Sequence, residues 1–272
     1  MIKFAAICPH PPLLIPGIGS KDDLKLVSNT IKAMEELADG IEKNDIETIV
    51  LVTPHNMVFG DRMNILDADK FAGDFEQFGF RDIKMNFDAD HELIDAIGAG
   101  CETGEIPYIK NSNTKECGYL DHGAMVPLHY LTKLVGSNIR IVLITYSNLD
   151  RTTHIKFGKV IEKVCSDDKF KDTNIALIAS GDMSHRLFSG EPAGHTNEGK
   201  EFDELIVNDL NNNDIESITH YDEDFVEAAG ECGYRSILVL MGALKDLEYK
   251  SDVLSYEGPY GVGYLVVKFD LD

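Results

Sequence analysis

Two histidines stand in matched surroundings. Pro9-His10-Pro11-Pro12 and Thr53-Pro54-His55 each place an imidazole directly after a proline, just past an apolar run. Proline fixes its own φ and holds the residue before it extended, so both chain exits are stiff. Two stiff exits that aim imidazoles into one cleft suit a metal ion, whose ligands must be held to a fraction of an ångström. Either histidine alone also reads as a polar loop residue with local hydrogen bonds; the matched pair favours metal.

Three further segments offer partners for that pair. In Gly230-Glu231-Cys232-Gly233 an acid and a thiol are adjacent. Glu231 would complete a set of two histidines and one carboxylate, the donor set of non-haem Fe(II) sites. Cys232 as ligand would bias the site toward zinc. Equally, the stretch reads as a tightly packed helix with Glu231 paired to Arg235 at i, i+4. In Leu120-Asp121-His122-Gly123, His122 reads as an acid or base oriented by a carboxylate, or as a solvent-facing residue after an N-cap Asp121. Ser180-Gly181-Asp182-Met183-Ser184-His185 combines a turn-forming glycine with Asp and Ser groups able to fix a histidine tautomer, which makes His185 a candidate base. The other histidines, His91, His129, His154, His195 and His220, read as helix or loop residues. His195 lies in a segment, Gly190-Glu191-Pro192-Ala193-Gly194-His195, that would cover a cleft.

These residues need a scaffold that brings distant stretches together. Apolar runs at residues 2–7 (IKFAAI), 47–52 (ETIVLV), 140–145 (RIVLIT) and 174–179 (NIALIA) read as buried strands. Helical spacing covers 24–42, with Ser20 as N-cap, and 91–98, 152–165, 198–210 and 224–244. Residues 253–256 and 264–269 read as closing strands around a Gly-rich turn. The alternation predicts an α/β sandwich, one domain over 1–272, with a mostly parallel or mixed sheet flanked by helices. Three of the four long strands run straight into His10, His55 and the segment ending at His185. Ligand sites of such sheets form beyond the carboxyl ends of the strands, which brings the three together.

The 272 residues are 43% hydrophobic and 26% charged, with a formal net charge of −22. So acidic a surface disfavours nucleic-acid and anionic-membrane partners. No run of 18 apolar residues is present, and the Pro-rich N-terminus reads as a strand and loop rather than a leader. Five scattered cysteines without a CxxC pair predict a reducing, cytoplasmic setting and no disulfide framework.

At these residues the chain resembles the catalytic B-subunit family of class III extradiol ring-cleavage dioxygenases, in particular the branch associated with AMMECR1-type domains and related to Memo-like proteins. The resemblance runs nearly end to end. It rests on the segments around His10, His55, His122, His185 and Glu231, on Val126-Pro127-Leu128, and on Leu254-Ser255-Tyr256-Glu257-Gly258-Pro259 with Gly261-Val262-Gly263-Tyr264. It implies Fe(II) held by His10, His55 and Glu231, with Cys232 the alternative third ligand because Memo-like relatives carry a cysteine near that position. It further implies His122 as the residue that positions substrate and oxygen, and His185 as general base and acid. A catecholic substrate and O₂ would be the reactants, the assembly a homodimer, and an AMMECR1-type protein a partner. Zinc-dependent hydrolysis and a non-catalytic Memo-like metal-binding role are the competing expectations.

Overall fold

A run such as TIVLVT has no polar face to turn to water, so it needs cover on both sides. The computed structural model, which describes residues 1–112, 117–188 and 194–271, supplies that cover. The chain runs β1 (Ile2–Cys8), α1 (Lys21–Leu26), α2 (Ser28–Lys43), β2 (Thr48–Thr53), β3 (Met63–Leu66), β4 (Lys70–Phe75), β5 (Phe80–Asp88), α3 (His91–Thr103), β6 (Tyr108–Asn111), α4 (His122–Leu131), β7 (Arg140–Thr145), α5 (Arg151–Cys165), β8 (Ile175–Ser180), α6 (Asn197–Asn211), α7 (Ile215–Ile218), α8 (Glu223–Ala229), α9 (Tyr234–Leu244), β9 (Tyr249–Glu257) and β10 (Tyr264–Leu271).

Eight strands form one mixed sheet in the order β6-β3-β7-β2-β8-β1-β10-β9. Its centre is parallel: β7 pairs with β2, β2 with β8, and β8 with β1. β10 and β9 close one side antiparallel, and β3 runs antiparallel to β7 on the other. β2 and β8 are buried at every residue. Helices flank the sheet: α9 packs on β8 and β2, α5 on α9, α4 on β2 and β8, and α2 on α4 and β1. The α5–α9 contact is close because Gly158 lies against the Val239 carbonyl and Gly242 against that of Ile155, where a Cβ would collide. This is the single-domain α/β sandwich expected from the alternation.

Two local expectations are corrected, and four strands are added. The helix expected over 24–42 is two helices, because Val27 leaves helical geometry (φ −113°, ψ 26°) and is buried between them. Glu257 from β9 then holds the new start of α2, accepting from the Thr30 N–H at 2.8 Å and its hydroxyl at 2.7 Å. Ser20 does cap α1, accepting from Asp23 N–H at 3.2 Å. The helix expected over 224–244 is also two, ended at Gly230 in the left-handed region (φ 65°), the usual glycine stop. Finally, β3 to β6 carry no sustained apolar run, and β4 and β5 form a separate two-stranded ribbon.

Among the described residues, no helix is long and apolar enough to cross a membrane.

Candidate metal centre

The parallel register decides what meets. β1 and β8 align Cys8 with Ser180, and β2 and β8 align Val52 with Ala179. Pro9-His10 and Pro54-His55 therefore leave the sheet on either side of the end of β8. The Nε2 atoms of His10 and His55 lie 3.1 Å apart, with ring centroids at 4.7 Å. His10 is buried at 3% exposure. Two groups from β8 and its exit hold it: its N–H donates to Asp182 Oδ1 at 3.0 Å, and its Nδ1 lies 3.1 Å from Ser180 Oγ.

His122 joins from the first turn of α4. Its ring centroid is 4.2 Å from that of His55 and 5.6 Å from that of His10. Phe78, between β4 and β5, approaches it edge-on with ring centroids 5.7 Å apart. Ligand atoms of His10, His55 and His122 all fall within 4.8 Å of one another. The close approach of α4 depends on Gly123, where a Cβ would stand 2.6 Å from both His55 Cδ2 and Thr53 Oγ1. Asp121 occupies the N-cap position of α4 without capping it; its charge instead opposes the fall in pKa of His55 and His122.

The loop between α8 and α9 brings the thiol. It touches the exit of β8 at Gly181 and Gly233, whose backbones lie too close for a side chain between them. Cys232 Sγ accepts from the Asp182 N–H at 3.2 Å and lies 3.7 Å from His10 Nε2. His10, Asp182 and Cys232 form a second group of potential ligands, again within 4.8 Å. Tyr146, just past β7, braces this loop by donating its hydroxyl to the Cys232 carbonyl at 3.2 Å.

Glu231 goes the other way. Its carboxylate accepts from the Tyr234 N–H at the start of α9 and lines a separate cavity of about 630 Å³ with Asn148, Arg151, His154 and Arg235. Burial lifts its pKa to about 7, against the pull of the Tyr234 N–H and Arg235. Among the described residues it belongs to neither donor group. Of the adjacent acid and thiol, the thiol is the one that reaches His10.

His185 sits on the β8 exit, its backbone N–H donating to the Gly230 carbonyl at 3.3 Å. Its Nε2 is buried and has no hydrogen-bond partner among the described residues. Residues 190–193 of the segment expected to cover the cleft lie outside the described residues; His195 is exposed.

The electrostatics favour neutral imidazoles. Burial pushes His10 well below the ordinary histidine range, and the neighbouring His55, His122 and His185 push it further. Burial likewise lowers His55, His122 and His185. Neutral rings are the form that binds metals and accepts protons. Burial also raises Asp182 to about 7, and pushes the Cys232 thiol well above its usual value with the Asp182 charge adding to the rise.

The donor set fits a divalent ion. Two nitrogens, each about 2.1 Å from one ion at neighbouring positions, stand about 3.0–3.4 Å apart. His10 and His55 already show 3.1 Å. A thiolate about 2.3 Å from the same ion would stand about 3.1–3.6 Å from the nitrogen. Cys232 Sγ is 3.7 Å from His10 Nε2, close to that range. Among the described residues it shares a donor group with His10 and Asp182 and not with His55, so the thiol would have to move toward His55 to join both imidazoles on one ion.

Sequence reasoning passed over Ser180 as a partner of His10, Gly123 as the seat of His55, and Tyr146. Only the Ser-x-Asp spacing at the strand end signalled the first; the other two are set by tertiary contacts.

Comparison with known proteins agrees with this architecture. Protein CA_C1420 of Clostridium acetobutylicum is 35% identical over 269 residues, covering 97% of this chain. The chain spans only 56% of that relative's length. The crystal structure of an uncharacterized protein of Escherichia coli K12, JW3007, superposes with a TM-score of 0.66 at 16% identity, covering 98% of this chain and 99% of that one; it shares the fold. Residues 4–267 match the family described as the catalytic LigB subunit of aromatic ring-opening dioxygenase, and the chain belongs to that family.

Proposed function

We propose that this protein is a metal-dependent dioxygenase that opens a catecholic ring, with Fe(II) held by His10, His55 and Cys232. The observation that carries the reading is the 3.1 Å approach of two imidazole nitrogens, with a thiol 3.7 Å from one of them, within a chain of the ring-opening family. Cys232 takes the third position in this reading because Glu231 is engaged with the start of α9. When bound, Fe(II) supplies a common centre for the vicinal oxygens of the substrate and for O₂.

The protein's own groups do the rest. His185 has a buried ring nitrogen with no hydrogen-bond partner among the described residues and a lowered pKa, so it is a neutral base at physiological pH. It takes a proton from a substrate hydroxyl and returns it later. His122 and Phe78, whose ring centroids lie 5.7 Å apart beside the histidine cluster, orient an aromatic ring, edge or face. The curated relative is nearly twice as long, which leaves room for a companion domain. An AMMECR1-type protein as that companion is part of this proposal.

One observation favours a second reading. A ligand set of two imidazoles and a thiol is also a zinc set, and zinc would activate water for hydrolysis. Oxygen uptake by the Fe(II)-loaded protein over a panel of catechols separates the two. The dioxygenase reading expects catechol-dependent O₂ consumption; metal-dependent hydrolysis without O₂ uptake would replace it.

A further inference from the structure

Gly123 is the second residue of α4, so its carbonyl would ordinarily accept the N–H of residue 127. That residue is Pro127, which has no N–H. A buried carbonyl deprived of its helical donor must find another. Ser180 Oγ stands 2.6 Å from it and donates its proton there.

A hydroxyl has one proton to give. With that proton committed to Gly123, Ser180 Oγ has only lone pairs left for His10 Nδ1, 3.1 Å away. Nδ1 must then be the donor, and the neutral ring carries its hydrogen there. The lone pair of His10 is left on Nε2, the atom that faces His55 Nε2 and Cys232 Sγ. The reverse tautomer would draw the Ser180 proton to His10 and leave the Gly123 carbonyl without a donor. Outer partners of this kind set which nitrogen of a histidine is free to ligate.

We propose that Pro127 and Ser180 are positioning residues that fix the Nδ1–H tautomer of His10 through the Gly123 carbonyl, and so present Nε2 to a metal ion. The chain of dependence is Pro127, Gly123 carbonyl, Ser180 hydroxyl, His10 ring. A proline inside a helix, otherwise only a cost, acquires a purpose. The metal part of this inference rests on the reading of His10 as a ligand; the tautomer part does not.

The test uses the full chain without metal, labelled with ¹⁵N at histidine, and reads the tautomer of His10 from its ring-nitrogen shifts. The parent is expected as Nδ1–H. Pro127→Ala restores an N–H that competes for the Gly123 carbonyl and frees the Ser180 proton, so the Nε2–H form should rise. Ser180→Ala should lose the Nδ1–H preference and bind Zn(II) about 10- to 100-fold more weakly, the usual effect of removing such a partner. Ser180→Thr keeps the hydroxyl and should preserve both tautomer and affinity, which separates this role from mere packing. An Nε2–H parent, or unchanged tautomer in both Pro127→Ala and Ser180→Ala, overturns the inference. If instead His10→Ala binds Zn(II) as the parent does, the ligand reading fails while the tautomer result stands.

Discussion

His10 Nε2 and His55 Nε2 face each other at 3.1 Å across 45 residues of chain. Two neutral imidazoles cannot both present lone pairs at that distance without repulsion, so one donates or a cation lies between them. β1 and β2 are not paired; β8 lies between them and sets the spacing of both exits. The separation is therefore set by the order of the strands in the sheet.

The thiol and the acid next to it should behave differently. Cys232→Ser is expected to weaken metal binding by about tenfold or more, the scale seen when the metal environment is disturbed. Glu231→Gln should leave affinity near that of the parent, because the Glu231 carboxylate faces the start of α9. Competitive titration with a chelator measures both. Loss of affinity in Glu231→Gln with retention in Cys232→Ser would assign the third position to the acid.

His185→Ala should keep its metal and lose turnover by about 10²-fold or more, the usual contribution of a general acid–base group. Metal analysis and oxygen uptake on the same sample check it. Turnover equal to the parent would remove His185 from the chemistry.

Gly123→Ala inserts a Cβ 2.6 Å from His55 Cδ2 and Thr53 Oγ1. Neither β2 nor α4 can move freely, so overpacking should cost about 1–3 kcal/mol. Chemical denaturation reads the loss, and metal affinity should fall with it as His55 is displaced. A variant as stable as the parent would show that the α4 contact is softer than it looks.

Asp203 gives a pH signature through a buried carboxyl outside both donor groups, though its charge is felt at Asp182. It is buried, and burial raises its carboxyl to about 7, with Glu231 adding and hydrogen bonds from Tyr256 and Ser184 opposing. The folded pKa lies above the unfolded value of about 3.9, so the folded state holds the proton more tightly. Its contribution is fully present below about pH 4 and is lost as pH rises toward 7, with a slope of up to about 1.4 kcal/mol per pH unit. Asp203→Asn should flatten that slope relative to the parent in denaturation series from pH 4 to 8. Identical slopes would mean Asp203 titrates normally.

Much of the scaffold could be read from local pattern, because its signals are local. TIVLVT and IALIAS admit no exposed face, and the two Pro-His exits announce stiff, directed side chains. The ribbon of β4 and β5 escaped notice because its residues alternate with charges and pack on one side only. The breaks at Val27 and Gly230 were masked by continuous helical spacing; Glu257, far along the chain, holds the start after the first. Glu231 and Cys232 show the limit for the site. Which of two adjacent loop side chains points inward depends on how Gly233 meets Gly181, a contact that no local pattern encodes.

The most direct test of the central claim is metal stoichiometry after anaerobic Fe(II) loading of the parent, His10→Ala and His55→Ala. The account expects about one ion per chain in the parent and less than about a tenth of that in either variant, since each removes one of the few protein ligands. Full retention of iron in His10→Ala and His55→Ala would contradict it.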